Sequence, residues 1–191
     1  MTEQRTDAGP AAGDDDTAML GVLRLIRDVP DYPVPGVLFK DITPLLADGP
    51  AFAEVVRALA APHGPGGEPV DVVAGIEARG FIFAAPVAVA LGVGFVPIRK
   101  VGKLPHTTVG ATYELEYGTA EVEVHADAVR PGQRVLLVDD VLATGGTAAA
   151  AGGLVRTLGG ELVSVAVLLE LTALGGRRSL PGLPIRSLLA V

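Results

Sequence analysis

The sequence predicts an α/β fold: a twisted, mainly parallel sheet flanked by helices on both faces. Three observations carry this. The apolar run Val135 to Val138 leads into a loop of small residues and then an alanine-rich stretch ending near Leu158, the order strand, loop, helix. The same order occurs earlier, with apolar Val70 to Ala74, a loop at Gly75 to Gly80 and a helical stretch from Phe81 to Leu91. Strands that alternate with helices in this way pair in parallel and are covered on both sides.

Taken in order, Met1 to Asp16 is polar and rich in Ala, Gly and Asp, and is expected to be a disordered tail. Residues 17–191 are then one domain, of a length that buries a real core. Thr17 can cap a helix running to about Asp28, with Leu20, Leu23 and Ile26 on one face. Asp31 to Pro44 is punctuated by prolines and reads as a loop, and residues 17–45 form a small N-terminal hood. Pro50 to Ala61 fits a helix with Pro at its start. After the Gly75 loop and its helix, in which Pro86 is awkward, Gly94 to Arg99 is the next strand. Val101 to Ala111 has no apolar periodicity and reads as a mobile loop ahead of a hairpin. Thr112 to Tyr117 and Ala120 to Ala126 alternate around Gly118 and form that hairpin, with Glu121, Glu123 and His125 as solvated charges. Glu161 to Leu169 is a further core strand, and Leu180 to Val191 a terminal turn and strand.

Composition sets limits. Hydrophobic residues make up 49%, charged residues 19%, and the mean hydropathy is +0.46. The apolar run Ile82 to Ile98 is cut by Pro86 and by glycines, so it reads as a buried helix plus a strand and not as a membrane span. Met1 is followed by polar and acidic residues, so no secretory signal is expected. With no cysteine, disulfides and thiolate metal sites are excluded, and a cytoplasmic location is expected. A net charge of −7 argues against a general nucleic-acid binder. The chain holds 12 arginines but only three lysines, Lys40, Lys100 and Lys103, and all three fall inside the motifs named below.

The chemistry concentrates in Arg134 to Ala151, where Asp139 and Asp140 precede Ala143-Thr-Gly-Gly-Thr147. Gly145 and Gly146 let an anion approach the backbone N–H groups, the following helix adds its positive end, and Thr144 and Thr147 add hydroxyls. No Lys-Ser/Thr pair follows the glycines, so this is not a Walker loop, and the dinucleotide pattern is missing. Acids beside a phosphate cradle point to a sugar phosphate. Gly75, Arg79 and Gly80 repeat the arrangement with one guanidinium suited to a pyrophosphate. On residues alone Phe39 is either a buried loop anchor or a stacking ring.

The segment resembles the phosphoribosyl-pyrophosphate (PRPP) motif of the type I phosphoribosyltransferases. Pro35-Gly-Val-Leu-Phe-Lys-Asp41, Gly75-Ile-Glu-Ala-Arg-Gly-Phe81, Ile98-Arg-Lys-Val-Gly-Lys-Leu-Pro105 and Leu115-Glu-Tyr-Gly118 extend the resemblance from about Val29 to Leu189. They make it closest to the adenine phosphoribosyltransferase family. The resemblance implies transfer of the 5-phosphoribosyl group from PRPP to adenine, giving AMP and pyrophosphate in purine salvage. It implies PRPP and AMP binding by Arg79, Arg99, Lys100, Lys103, Asp139, Asp140, Ala143, Thr144, Gly145, Gly146 and Thr147. It implies adenine binding by Leu38, Phe39, Lys40 and Glu116, and catalytic roles for Glu116, Arg79, Lys100 and Lys103. Mg²⁺ is expected to arrive on PRPP with no direct protein ligand. The resemblance also implies a flexible lid hairpin at about 100–120, a homodimer with Arg99 reaching into the partner's site, and a cis peptide at Glu77–Ala78. Neither nucleic acid nor membrane is an expected partner. The rival readings are transfer to another purine base, or a PRPP-sensing regulator on the same fold.

Overall fold

The computed structural model describes residues 19–115 and 118–191, and the chain divides into two compact units at Glu54/Val55. In the first unit, residues 19–24 are helical (α1). β1 (Arg27–Pro30) pairs antiparallel with β2 (Leu38–Asp41), Val29 facing Phe39, and α2 (Thr43–Ala47) follows. The segment expected to be a loop over residues 31–44 therefore contains a strand and a helix. The prolines do not prevent this because they avoid the ladder. Pro33 and Pro35 lie in the connecting turn, and Pro44 sits in the first turn of α2, where its missing N–H has no intrahelical partner. Asp31 (φ 57°) and Gly36 (φ 89°) turn the chain, and the Gly36 N–H donates to Asp31 Oδ1 at 2.7 Å. α3 (Gly49–Ala60) runs across the division; the Asp48 carboxylate accepts the Ala51 N–H at 3.0 Å in its first turn.

The second unit is built on a seven-stranded sheet. Its elements are β3 (Val72–Ile76), α4 (Arg79–Leu91), β4 (Gly94–Lys100), β5 (Thr108–Leu115), β6 (Gly118–His125), β7 (Arg134–Leu142), α5 (Gly146–Thr157), β8 (Glu161–Glu170) and β9 (Ile185–Ala190). The strand order is β5-β6-β4-β3-β7-β8-β9. From β4 to β9 neighbours are parallel, and the β5–β6 hairpin adds antiparallel to β4. Every residue of β3 is buried, as expected for a strand covered on both faces. Val72, Ala74 and Ile76 join Val135 and Leu137 of β7 and Ala151, Leu154 and Val155 of α5 in one apolar cluster. The opposite face meets α4, where Gly75 approaches Ala84 so closely that a Cβ would lie 2.6 Å from that methyl.

Chain order reverses at β3, because β4 lies on one side of it and β7 on the other. A crevice at the carboxyl ends of β3 and β7 is the expected place for a ligand in such a sheet. The amino ends of the same two strands are pinned together. Arg134 donates from its backbone N–H (2.8 Å), Nε (3.0 Å) and a terminal nitrogen (2.7 Å) to the Asp71 carboxylate. These bonds hold Asp71 down at a pKa of about 2.

Some boundaries differ from the sequence reading. α4 runs through Pro86; the hydrogen bond that proline cannot donate would go to the Ile82 carbonyl, and Ile82 is exposed to water. The hairpin starts at Thr108, so residues 108–111 are strand and the irregular segment shrinks to 101–107. Glu123 is not a solvated charge but buried, while Glu121 is exposed.

Candidate active site

β7 does not stop at Val138. It continues through Asp139 and Asp140 to Leu142, because Asp139, Val141 and Leu142 keep their pairing with Val167, Leu169 and Glu170 of β8. Both acids are thereby fixed on a strand, not carried on a loop. The Asp140 N–H donates to Asp139 Oδ1 at 2.9 Å, and Arg79 Nε lies 3.0 Å from Asp140 Oδ2. Burial, with the neighbouring Asp140 charge, pushes the Asp139 carboxyl well above the usual carboxylate range. Burial also raises Asp140, against the pull of the Arg79 guanidinium. Arg79 opens α4, and Gly80 beside it lets that helix start close to the acids: a Cβ there would lie 2.7 Å from Asp139 Oδ1.

Residues 143–145 then lead into α5. Gly145 caps the helix at φ 82°, a conformation favouring glycine, and no side chain caps the first turn. No acid lies in that turn. Among the described residues no side chain caps the N–H groups that open α5, which lack intrahelical partners and carry the positive end of the helix dipole. Thr144 is exposed, and Gly146 and Thr147 are half-buried. α4 also starts without a side-chain cap or an acid, so two open helix starts follow the carboxyl ends of adjacent strands. Such starts bind phosphate.

Across β3 from the acids, the Glu77–Ala78 peptide is cis, as the resemblance implies. Glu77 accepts from Arg99 Nε (3.2 Å) and from the Lys100 N–H (3.0 Å). Burial raises the Glu77 carboxyl, but these bonds outweigh it and hold the group below its ordinary range. Arg99 also donates to the Lys103 carbonyl at 2.9 Å. Within this chain Arg99 therefore ties β3 to the 101–107 segment. Glu123 accepts the N–H groups of Lys103 and Leu104, both at 3.1 Å, which overcomes its burial and keeps it ionised. Leu38, Phe39 and Lys40 form β2 in the first unit. There Phe39 meets Tyr32 edge-on at 5.1 Å and Lys40 pairs with Asp28 at 2.7 Å. Glu116 lies outside the described residues. A cavity of about 400 Å³ lies elsewhere, between His63, Ser164, Ala166 and Arg186, away from the acids.

This geometry can be set against known proteins. A family model for the phosphoribosyl transferase domain matches residues 45–179. A protein of Thermobifida fusca called adenine phosphoribosyltransferase is 61% identical over 168 residues, 88% of this chain and 94% of that one. The chain belongs to the adenine phosphoribosyltransferase family. A relative of that name in Acidothermus cellulolyticus is 62% identical, covering 87% of this chain and 93% of its own. The crystal structure of the family member from Thermoanaerobacter pseudethanolicus superposes with a TM-score of 0.88 at 51% identity, over 91% of this chain and 99% of that one. The Saccharomyces cerevisiae member, solved with an imino-altritol bisphosphate and adenine, has a TM-score of 0.85 at 38% identity, over 91% and 99%.

In the second unit Arg79 meets Asp140, residues 143–147 follow the acids in the chain, and Arg99 separately meets the Lys103 carbonyl. The sequence reading missed three groups. Glu77 is the acceptor that orients Arg99, Glu123 holds the middle of the 101–107 segment, and Ser179 touches the loop that precedes α5. Glu77 sat in full view within the Gly75 motif. Glu123, a few residues past the Leu115–Gly118 motif, reads as a solvated charge, and Ser179 lies far from any motif.

Proposed function

We propose that the adenine phosphoribosyltransferase reaction of this family, PRPP plus adenine giving AMP and pyrophosphate, is carried here by the cleft at the carboxyl ends of β3 and β7. The observation that supports it most is the acid pair on β7, Asp140 buried and Asp139 half-buried, followed after a short loop by a helix start without a side-chain cap. The open N–H groups of α5, with Thr144 and Thr147, take the 5′-phosphate. Asp139 and Asp140 accept hydrogen bonds from the ribose hydroxyls. Arg79, Lys100 and Lys103 meet the pyrophosphate, while Leu38, Phe39 and Lys40 take the base. Pyrophosphate leaves C1 with the bonding pair, positive charge develops on the ribosyl centre, and adenine N9 bonds to C1. Glu116 accepts the imidazole proton at N7. The chain's contribution is positioning and charge stabilisation.

Among the described residues no group of three or more His, Cys, Asp or Glu is gathered that could hold a metal ion. Asp140 is already paired with Arg79. This donor set suits Mg²⁺ brought on substrate oxygens, and the half-buried Asp139 would accept hydrogen bonds from its water shell. Bound there, Mg²⁺ would neutralise the leaving pyrophosphate. We further propose a cytoplasmic homodimer in which Arg99 exchanges its Glu77 contact for the partner's site.

Gly146→Val tests the cradle. A branched side chain at the first turn of α5 blocks approach to the amides, so calorimetry should show AMP binding weakened at least tenfold and the KM for PRPP raised. Unchanged AMP affinity would put the phosphate elsewhere.

A further inference from the structure

The 3₁₀ turn Gly176–Ser179 is remote in sequence from the phosphate loop, yet packs directly on it. Ser179 Oγ donates to the Thr144 carbonyl at 2.8 Å. A Cβ on Gly145 would collide with the Gly176 carbonyl oxygen and lie 2.9 Å from Ser179 Cβ. A Cβ on Gly176 would collide with the Ala143 carbonyl oxygen. The two backbones meet glycine against glycine, and both glycines are buried.

The turn is held in place from its far side. Arg177 donates Nε to Glu170 Oε1 and a terminal nitrogen to Glu170 Oε2, both at 2.7 Å. Its other terminal nitrogen reaches the Ile185 carbonyl at 3.1 Å. Ser187 Oγ donates to the same Glu170 at 2.7 Å. Glu170 ends β8 and is 7% exposed while the Arg177 side chain is half exposed, so this bidentate fork is shielded on its carboxylate side only. The Arg177 bonds lead in holding the Glu170 carboxyl below its ordinary range.

We propose that Ser179, Gly176 and Arg177 are positioning residues for the 5′-phosphate cradle, an inference that rests on the function proposed above. The loop cannot position itself. Its cap is a glycine in a left-handed conformation with no side-chain cap, so the Thr144–Gly145 peptide needs an outside restraint. Ser179 holds that peptide by its carbonyl, Gly176 sets how close the loop can sit, and the Arg177–Glu170 fork anchors the turn to β8. A cradle held in its binding geometry loses less freedom when phosphate arrives.

The test compares wild type with Ser179→Ala, Ser179→Thr and Arg177→Lys. AMP affinity is measured by calorimetry, KM by turnover for PRPP and for adenine separately, and folding by thermal melting. Loss of one hydrogen bond should weaken AMP binding and raise the PRPP KM by about three- to tenfold in Ser179→Ala. The adenine KM and Tm should stay near wild type. Ser179→Thr keeps the hydroxyl and should recover affinity. Arg177→Lys cannot form the fork and should shift the same two constants. Should Arg177→Lys fail to fold, the Ser179 pair decides alone. Wild-type AMP affinity in Ser179→Ala would overturn the proposal, as would an equal rise in both KM values, which marks a general structural effect. A wild-type protein that neither binds AMP nor consumes PRPP would sink the functional reading itself, and this one with it.

Discussion

At the scale of single residues, the acid pair carries a cost in stability. Asp139 keeps its proton to higher pH in the folded chain than in the unfolded one, because burial disfavours its charge. The folded state therefore binds more protons above the ordinary carboxylate range, and stability falls as pH rises through that window. Asp139→Asn is nearly isosteric and removes the cost. Its Tm should exceed that of wild type at about pH 8 and converge with it at about pH 4. A lower Tm at the higher pH would contradict the burial account. With Asp140→Asn added, turnover should be largely abolished while the fold remains, since each lost charged hydrogen bond to a ribose hydroxyl costs about 1.5–3 kcal/mol. Wild-type-like kinetics in the double variant would remove both acids from the site. The importance of the pair was legible in the sequence, since two adjacent carboxylates before Thr-Gly-Gly-Thr are distinctive. Their burial and the Arg79 contact were not, because both depend on β7 continuing past Val138 beside β8.

At the scale of elements, two pairings govern how the site is held. The first is the 101–107 segment, which lacks periodicity and so reads as mobile, yet is fastened by the buried Glu123. Alternation along β6 marks Glu123 as polar-facing; only the fold shows that this face lies under the segment. Glu123→Ala should release it, so trypsin should cut after Lys100 and Lys103 faster than in wild type, with PRPP protecting less. Equal cutting rates would mean that the segment is held by something else. The second pairing joins the amino ends of β3 and β7 through Asp71 and Arg134. The Asp71 pKa is depressed to about 2, so its stabilisation is present above the unfolded carboxylate value and is lost as pH falls through that range. Asp71→Asn should lower Tm at neutral pH, with the difference shrinking towards pH 2. A difference independent of pH would deny the ion pair its role. Elements with strong apolar runs, such as β3, β7 and β8, were legible to within a few residues. β2 and α2 were not, because a proline signals a break without saying which side of a ladder it occupies.

At the scale of the whole molecule, one sheet reversal puts the β3 and β7 carboxyl ends side by side and so brings the two motifs that follow them together. The strand-loop-helix rhythm foretold a parallel sheet, but not its order, since local periodicity carries no information on which side of β3 a later strand inserts. Base selectivity belongs at this scale too, because it draws on β2 and on the family pattern together. Stacking on Phe39 cannot read the substituent at C6. If β2 takes the base as proposed, its backbone donors and acceptors have fixed sign, and a 6-oxopurine, whose N1 and C6 groups are reversed from adenine's, would leave polar groups opposed. Sites of this kind reject the wrong analogue by about 10⁴ or more. The most direct test is to incubate the protein with PRPP, Mg²⁺ and adenine, hypoxanthine or guanine in turn, and to compare kcat/KM for nucleotide formation. The account predicts AMP from adenine, with both 6-oxopurines slower by about that factor. No AMP, or hypoxanthine turnover within tenfold of adenine, would contradict it.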